Sequence, residues 1–200
     1  MKTLLLTTAA AAFAFVAGTA SADDFENTTF ETVVYSDNLQ FSVSGDYIDG
    51  VNAASTGITF MEYQLGTVNA NLYAELEYHM LADEVTLTGE YQMSRTFAFG
   101  NVYGAAAVSY TANEDDLGDG TWLASPYAGV TYGLTDNIAT FAEVGYSWDM
   151  SNDWTNSGGY GEIGVDFAVN ENITLTPSVV TTFDTANDST NLNLTMAFSF

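Results

Sequence analysis

The sequence contains almost no positive charge. Its 200 residues include 26 Asp and Glu but only two Lys or Arg, which are Lys2 and Arg95. Lys2 lies in a leader that we expect to be removed, so the mature chain has one Arg against 26 acidic side chains. The negative electrostatic field of such a protein repels phosphate backbones, which excludes nucleic acid as a partner. Acidic side chains inside the fold would also lack basic partners.

Cysteine is absent, and proline occurs only twice. Disulfides therefore contribute nothing to stability. After residue 22 no apolar run approaches the roughly 20 residues that a membrane helix needs, so a spanning structure would have to be a closed sheet. Strong acidity also occurs in disordered chains, but 47% apolar and 14% aromatic residues argue against disorder.

The first 22 residues have the features of a secretory signal peptide. Lys2 supplies the positive start, residues 4–17 form a short Ala-rich apolar stretch, and Ala20-Ser21-Ala22 matches an Ala-x-Ala cleavage site. We therefore predict two parts, a signal peptide at residues 1–22 and one domain at residues 23–200.

The rest of the chain consists of segments of about ten residues with alternating polarity. In residues 70–80 and 84–94, apolar residues occupy every second position and polar residues the positions between. Such alternation predicts strands with one face toward lipid and the other toward water. We count about ten strands, with eight or twelve as alternatives. Pro126 and Pro177 fall within predicted strands, so each requires a bulge or a strand end nearby.

The connections alternate between short and long. Residues 134–138 (Leu-Thr-Asp-Asn-Ile) and 169–173 (Val-Asn-Glu-Asn-Ile) are near-copies and predict three-residue turns at one rim. Residues 113–121, 149–159 and 184–190 predict acidic loops at the other rim. Residues 35–39 (Tyr-Ser-Asp-Asn-Leu) resemble the short turns. They would add a strand at about residues 29–35 and make eleven, an odd number that is unusual in single-chain transmembrane barrels. Either the N-terminal segment is therefore a tail, or the count of ten is wrong elsewhere.

Aromatic residues gather toward the two rims. Such girdles are typical of a lipid-facing barrel, whereas a soluble sandwich does not explain them. The predicted girdle consists of Tyr78, Tyr110, Trp122, Tyr146 and Trp148 at the long-loop rim and Tyr91 and Tyr132 at the short-turn rim.

Together with the C-terminal Met-Ala-Phe-Ser-Phe, these features make the chain resemble the small, porin-like outer-membrane β-barrel proteins of Gram-negative bacteria. The resemblance implies an all-β, closed antiparallel transmembrane barrel in the outer membrane, with lipid and the barrel-insertion machinery as partners. The insertion signal would be Leu194, Met196, Phe198 and Phe200. Small barrels of this group often contain basic residues that pair with interior Glu, and this chain lacks them. A resemblance in fold does not fix the activity.

Strand alternation places many acidic side chains inside the barrel. Burying unpaired carboxylates costs several kcal/mol each, so the interior must be wet, partly protonated or occupied by cations, either monovalent or divalent. The predicted lumen carboxylates are Glu62, Glu75, Glu77, Glu90, Glu143, Glu162 and Asp166, with His79 as the one candidate cation.

The turn after residue 79 decides which of these groups meet. A turn centred on Ala82 and Asp83 sets Glu75 directly opposite Glu90, and the two carboxylates would then share a proton or bind a cation. A turn centred on Leu81 and Ala82 instead sets Tyr73 against Glu90. Alternation permits both registers.

Three classes of function follow. The first is a narrow, cation-preferring channel, since rings of Asp and Glu attract cations and repel anions. The second is a non-conducting structural or surface-interaction barrel. An enzyme is the third, but it would rest on His79 with Ser94 or Ser109, and no nucleophile motif or metal spacing is present. We predict no enzymatic activity, no cofactor and no metal site.

Overall fold

The computed structural model describes residues 28–36, 39–46, 50–183 and 188–199. The predicted signal peptide and Phe200 lie outside these residues. No helix in the described part of the chain is long and apolar enough to cross a membrane. The described residues form eleven strands: β1 Thr28–Ser36, β2 Leu39–Asp46, β3 Gly50–Leu65, β4 Val68–His79, β5 Glu84–Phe97, β6 Gly100–Asn113, β7 Asp116–Thr135, β8 Ile138–Asp149, β9 Thr155–Asn170, β10 Ile173–Phe183 and β11 Thr190–Ser199.

The strands close into a barrel in which sequence neighbours pair side by side. Each consecutive pair is antiparallel, and β1 closes the barrel by pairing in parallel with β11, from Thr28 opposite Leu192 to Tyr35 opposite Ser199. The predicted all-β closed barrel is confirmed. The strand beyond our count of ten is β1, so the interpretation of its residues as a tail is wrong. Because the number of strands is odd, the start of β1 and the end of β11 lie at opposite rims.

The short-turn rim is built from matching turns. Only two residues separate β7 from β8, and likewise β9 from β10, because the strands extend one residue further than the sequence predicts. The backbone N–H of Asn137 donates to Thr135 Oγ1 at 3.3 Å, and the backbone N–H of Asn172 donates to Asn170 Oδ1 at 2.8 Å. A side chain that accepts from the backbone two residues later is typical of tight turns, which explains why the two sequences are near-copies.

At the opposite rim, the predicted loop at residues 113–121 is wrong. Strand β6 continues to Asn113 and β7 begins at Asp116, with these two residues paired. The Tyr110 hydroxyl donates to the Leu117 carbonyl at 2.7 Å and fastens the end of the hairpin. The sequence shows no alternation here because Leu117 is the one apolar side chain in residues 116–121. The predicted loop at 149–159 likewise shrinks to residues 150–154, and residues 184–187 lie outside the described chain.

Both prolines occupy gaps in the pairing ladder. Pro126 pairs with Ala106 of β6, but the β7–β8 ladder omits Ser125 and Pro126 while keeping its register. Pro177 pairs with Leu194 of β11, and the β9–β10 ladder has a matching gap. Since proline has no backbone N–H, these gaps allow it to lie within a strand of a closed barrel.

The outer surface of the barrel is apolar. Leu87, Val144 and Ile163 are 53%, 55% and 63% exposed, although each lies within a regular strand. Side chains of this size have no protein neighbours to cover them, and an apolar band around a closed barrel is the surface that faces hydrocarbon.

Candidate functional site in the barrel lumen

The strand register places the predicted lumen carboxylates on the face of the barrel opposite the exposed Leu87, Val144 and Ile163. Residues that pair directly across two strands share a face, and the pairings join these positions through Tyr73–Glu90, Glu62–Asn71 and Glu143–Glu162. The inner face also carries Glu31 of β1, which accepts a hydrogen bond from Thr195 Oγ1 at 3.3 Å. We missed Glu31 because its strand could also be a tail. The inward carboxylates from the sequence are Glu62, Glu75, Glu77, Glu90, Glu143, Glu162 and Asp166.

Of the two registers that alternation permits, the structure has the one that sets Tyr73 against Glu90, so Glu75 does not pair with Glu90. The turn between β4 and β5 spans residues 80–83, so its centre lies between Leu81 and Ala82, and Tyr73 pairs with Glu90. Asp83 ends this turn with a φ of 52° and accepts a hydrogen bond from the Tyr78 hydroxyl at 3.2 Å. Glu75 instead pairs with Thr88 and accepts a hydrogen bond from Ser55 Oγ.

A different pair of carboxylates lies directly opposed, Glu143 of β8 and Glu162 of β9. The Tyr160 hydroxyl donates to Glu143 Oε1, and the Tyr127 hydroxyl donates to Glu90 Oε1 at 2.7 Å. Alternation alone places both Glu side chains on the inward face, but it does not determine their positions along the barrel axis. Those positions depend on the β8–β9 register, which shifts at a bulge between Ser147 and Trp148. The opposed pair therefore escaped the sequence analysis.

Tyrosine rings lie flat against the lumen wall at glycines of neighbouring strands. A Cβ placed on Gly145 would be 2.3 Å from the Tyr160 ring, and one on Gly129 would be 2.4 Å from the Tyr103 ring. Gly57 is covered by Tyr73 in the same way. A ring seated on a glycine keeps its hydroxyl near the carboxylates without projecting toward the barrel axis. For Tyr103 and Tyr160 the signal in the sequence is an inward Tyr paired directly with an inward Gly, whereas Tyr73 reaches Gly57 diagonally; neither arrangement can be recognised before the register is known.

We expect Gly145→Ala to destabilise the barrel by about 1–2 kcal/mol, because the new methyl group overlaps the Tyr160 ring. Urea unfolding of Gly145→Ala, Tyr160→Leu and the double variant should give a coupling free energy well above zero. Gly133 is a matched control, since it also faces the lumen but a Cβ there meets nothing within 4 Å. Additive effects for Gly145 and Tyr160 would contradict the packing described above.

The single histidine contacts a carboxylate rather than a serine. His79 Nε2 lies 3.3 Å from Glu77 Oε2. Ser94 pairs with Asn69, ten residues down β4 from His79, and Ser109 pairs with Thr88. His79 therefore forms a dyad with neither of the two serines that an enzyme would require. In the described residues, no group of three or more His, Cys, Asp or Glu side chains is placed to hold a metal ion.

The outward positions carry the aromatic residues of the predicted girdle and Arg95. Tyr110 and Trp122 are in contact with ring centroids 4.7 Å apart, and Tyr146 and Trp148 at 5.0 Å. The Arg95 guanidinium lies 4.9 Å from the centre of the Phe97 ring and shares the outward face with Val102. The remaining predicted aromatic and insertion-signal residues in the described chain also share the outward face: Tyr78, Tyr91, Tyr132, Leu194, Met196 and Phe198.

A cavity of about 460 Å³ lies at the short-turn end of the lumen. Its lining contains four amide side chains, one carboxylate and one hydroxyl on the inner faces of β3, β4 and β5. Gln92 joins it to the tyrosine and carboxylate groups, because its Nε2 donates to the Tyr127 hydroxyl at 3.4 Å. The lining residues are Glu62, Tyr63, Gln64, Asn69, Ala70, Asn71, Gln92 and Ser94.

Comparisons with known proteins agree with this architecture. No protein-family model matches the sequence, and no curated protein matches it. Among solved structures, the NanC porin is similar, with a TM-score of 0.63 and 9% sequence identity, over 85% of this chain and 91% of that chain. The chain therefore has a porin-like β-barrel fold, as the resemblance in the sequence implied. A sequence identity this low supports a similar fold but does not indicate which solute, if any, this chain transports.

Proposed function

We propose that the protein is a narrow, cation-preferring channel of the bacterial outer membrane, reached by signal-peptide export and the barrel-insertion machinery. The observation that carries this proposal is the distribution of charge. At least eight carboxylates face the lumen, whereas Arg95, the one Lys or Arg in the described chain, faces outward. Fixed negative charge on the wall of a water-filled passage lowers the free energy of a cation and raises that of an anion.

The wall geometry supports a passage rather than a filled interior. Tyr73, Tyr103 and Tyr160 lie against glycines of the next strand, so their rings add little bulk toward the barrel axis. Interior carboxylates without basic partners need water or mobile cations to compensate their charge. Both features favour a hydrated lumen.

The same charge distribution predicts the ion selectivity of the purified protein in planar lipid bilayers. We expect discrete conductance steps in potassium chloride and, in a salt gradient, a reversal potential of the sign given by cation preference. Raising the salt concentration should weaken the preference, since the Debye length falls from about 10 Å at 0.1 M to about 3 Å at 1 M.

Two results would count against the channel. Anion preference would contradict the electrostatic argument directly. Absence of steps, in protein whose gel migration shifts on boiling as expected for a folded barrel, would favour the non-conducting structural barrel instead. Protein recovered in the soluble periplasmic fraction would remove both membrane proposals.

A further inference from the structure

The amide-lined cavity forms a regular array of polar groups. In the row nearer the rim, Gln64, Asn69 and Ser94 lie side by side on β3, β4 and β5. Glu62, Asn71 and Gln92 form the next row inward. Six inward side chains on three adjacent strands thus present donors and acceptors over one continuous patch of wall.

One acceptor in this array has no partner. Asn71 Nδ2 donates to Gln92 Oε1 at 3.5 Å, but Asn71 Oδ1 is buried and makes no hydrogen bond within the described chain. Buried polar groups are nearly always hydrogen-bonded, and a small rotation of the Asn71 amide would bring this orphaned acceptor to a donor in the cavity. Its volume of about 460 Å³ falls in the range of small-molecule sites, about 300–1,000 Å³.

The lining selects for the kind of solute. Each amide offers a carbonyl acceptor and an N–H donor pair side by side, which matches neighbouring hydroxyl groups that both donate and accept. No basic group lines the cavity, and the lumen carboxylates repel anions. Glu62 is the only charge among the lining residues, so neutral hydrogen bonding dominates.

We propose that this cavity is a binding subsite for neutral, hydroxyl-rich solutes of the mono- or disaccharide class, held by Asn71, Gln92 and their neighbours. The subsite deepens the proposed function, because it gives the passage a second, uncharged class of solute. It would lie directly beside the Tyr127–Glu90 hydrogen bond, through Gln92.

Equilibrium binding tests the subsite without requiring conduction. The barrel is placed in phosphatidylcholine nanodiscs and titrated with maltose, sucrose and trehalose, with binding followed by saturation-transfer NMR. We expect saturable binding in the millimolar range for at least one sugar. Asn71→Leu and Gln92→Leu should each weaken that binding about tenfold, the change expected when one or two hydrogen bonds are lost.

Matched controls apply the same substitutions elsewhere on the inner face. Asn101 on β6 and Gln40 on β2 face the lumen but do not line the cavity, so Asn101→Leu and Gln40→Leu should leave sugar affinity unchanged. Heat-modifiable gel migration establishes that each variant is folded. Equal loss of affinity in controls and test variants would overturn the proposal.

Charged sugar analogues separate the remaining outcomes. Gluconate should not bind. Glucosamine binding that Glu62→Gln abolishes, without binding of any neutral sugar, would show a cation site and overturn the proposal, as would the absence of all sugar binding. Cation-selective conductance without sugar binding would overturn the subsite alone. Sugar binding without conductance would keep the subsite and overturn the channel.

Discussion

The Gly100→Ala variant is expected to lose about 3 kcal/mol of unfolding free energy. Gly100 begins β6 with a φ of +147°, a conformation that side chains with a Cβ adopt at a cost of about 1–3 kcal/mol. A Cβ on Gly100 would also lie 2.2 Å from the Thr131 carbonyl oxygen and 3.2 Å from Tyr132 Cα. These atoms belong to the backbone of β7, so no side-chain rotation can relieve the overlap.

The consequence reaches beyond the turn. Asn101, the next residue, begins the β6–β7 ladder by pairing with Thr131, so displacing Gly100 disturbs the end of that ladder. Urea unfolding of the barrel in lipid vesicles, followed by gel migration without boiling, measures the change in midpoint. Gly104→Ala on the same strand is the matched control, because a Cβ there would be at an ordinary 3.6 Å from the Tyr127 carbonyl. Similar midpoints for the two variants would contradict the clash.

Alternation of polarity is sufficient to predict the two faces of the barrel. It sorts Leu72, Leu76 and Leu87 from Glu75, Glu77 and Glu90, because a strand in a closed sheet turns successive side chains to opposite sides. The short turns are readable for a related reason. Residues 134–138 and 169–173 repeat the same sequence pattern since they form the same hydrogen-bonded turn.

The positions of residues along the axis of the lumen could not be predicted in the same way. Register depends on loop length and on bulges, and the bulge between Ser147 and Trp148 shifts every pairing beyond it by one residue. For this reason the opposition of Glu143 and Glu162 and the seating of Tyr160 on Gly145 required the structure. The four-residue turn after His79 likewise settled a choice that alternation left open.

Strand β1 illustrates another limit of the sequence. Its inward residues Glu31 and Tyr35 and its outward residues Phe30 and Val34 alternate over only a few positions, and its partner β11 is the most distant strand in the chain. Because β1 and β11 are the first and last strands, no turn connects them, and the sequence contains no turn signal for their pairing. A tail and a strand therefore looked alike from the local sequence.

The charge of the lumen can be altered at the position where Glu143 and Glu162 oppose each other. Two like charges directly across neighbouring strands destabilise the sheet, by up to about 1 kcal/mol. In Glu162→Lys, the ammonium group would face Glu143 and replace this repulsion with attraction, while the Tyr160 hydroxyl keeps its bond to Glu143. We therefore expect the variant to be folded and at least as stable as the native barrel.

Glu162→Lys should also reduce cation selectivity by about thirtyfold in the ratio of cation to anion permeability. A unit charge about 8 Å from a passing ion in a water-like dielectric contributes about 0.5 kcal/mol. Reversing its sign raises the energy of a cation by about 1 kcal/mol and lowers that of an anion by about the same amount, so the ratio changes by about 2 kcal/mol. Reversal potentials in planar bilayers at low salt measure the ratio. Asp119→Lys makes the same change in net charge at an exposed position of the β6–β7 hairpin, so its effect should be much smaller. If the two variants changed selectivity equally, net charge of the protein rather than the lumen carboxylates would control the passage of ions.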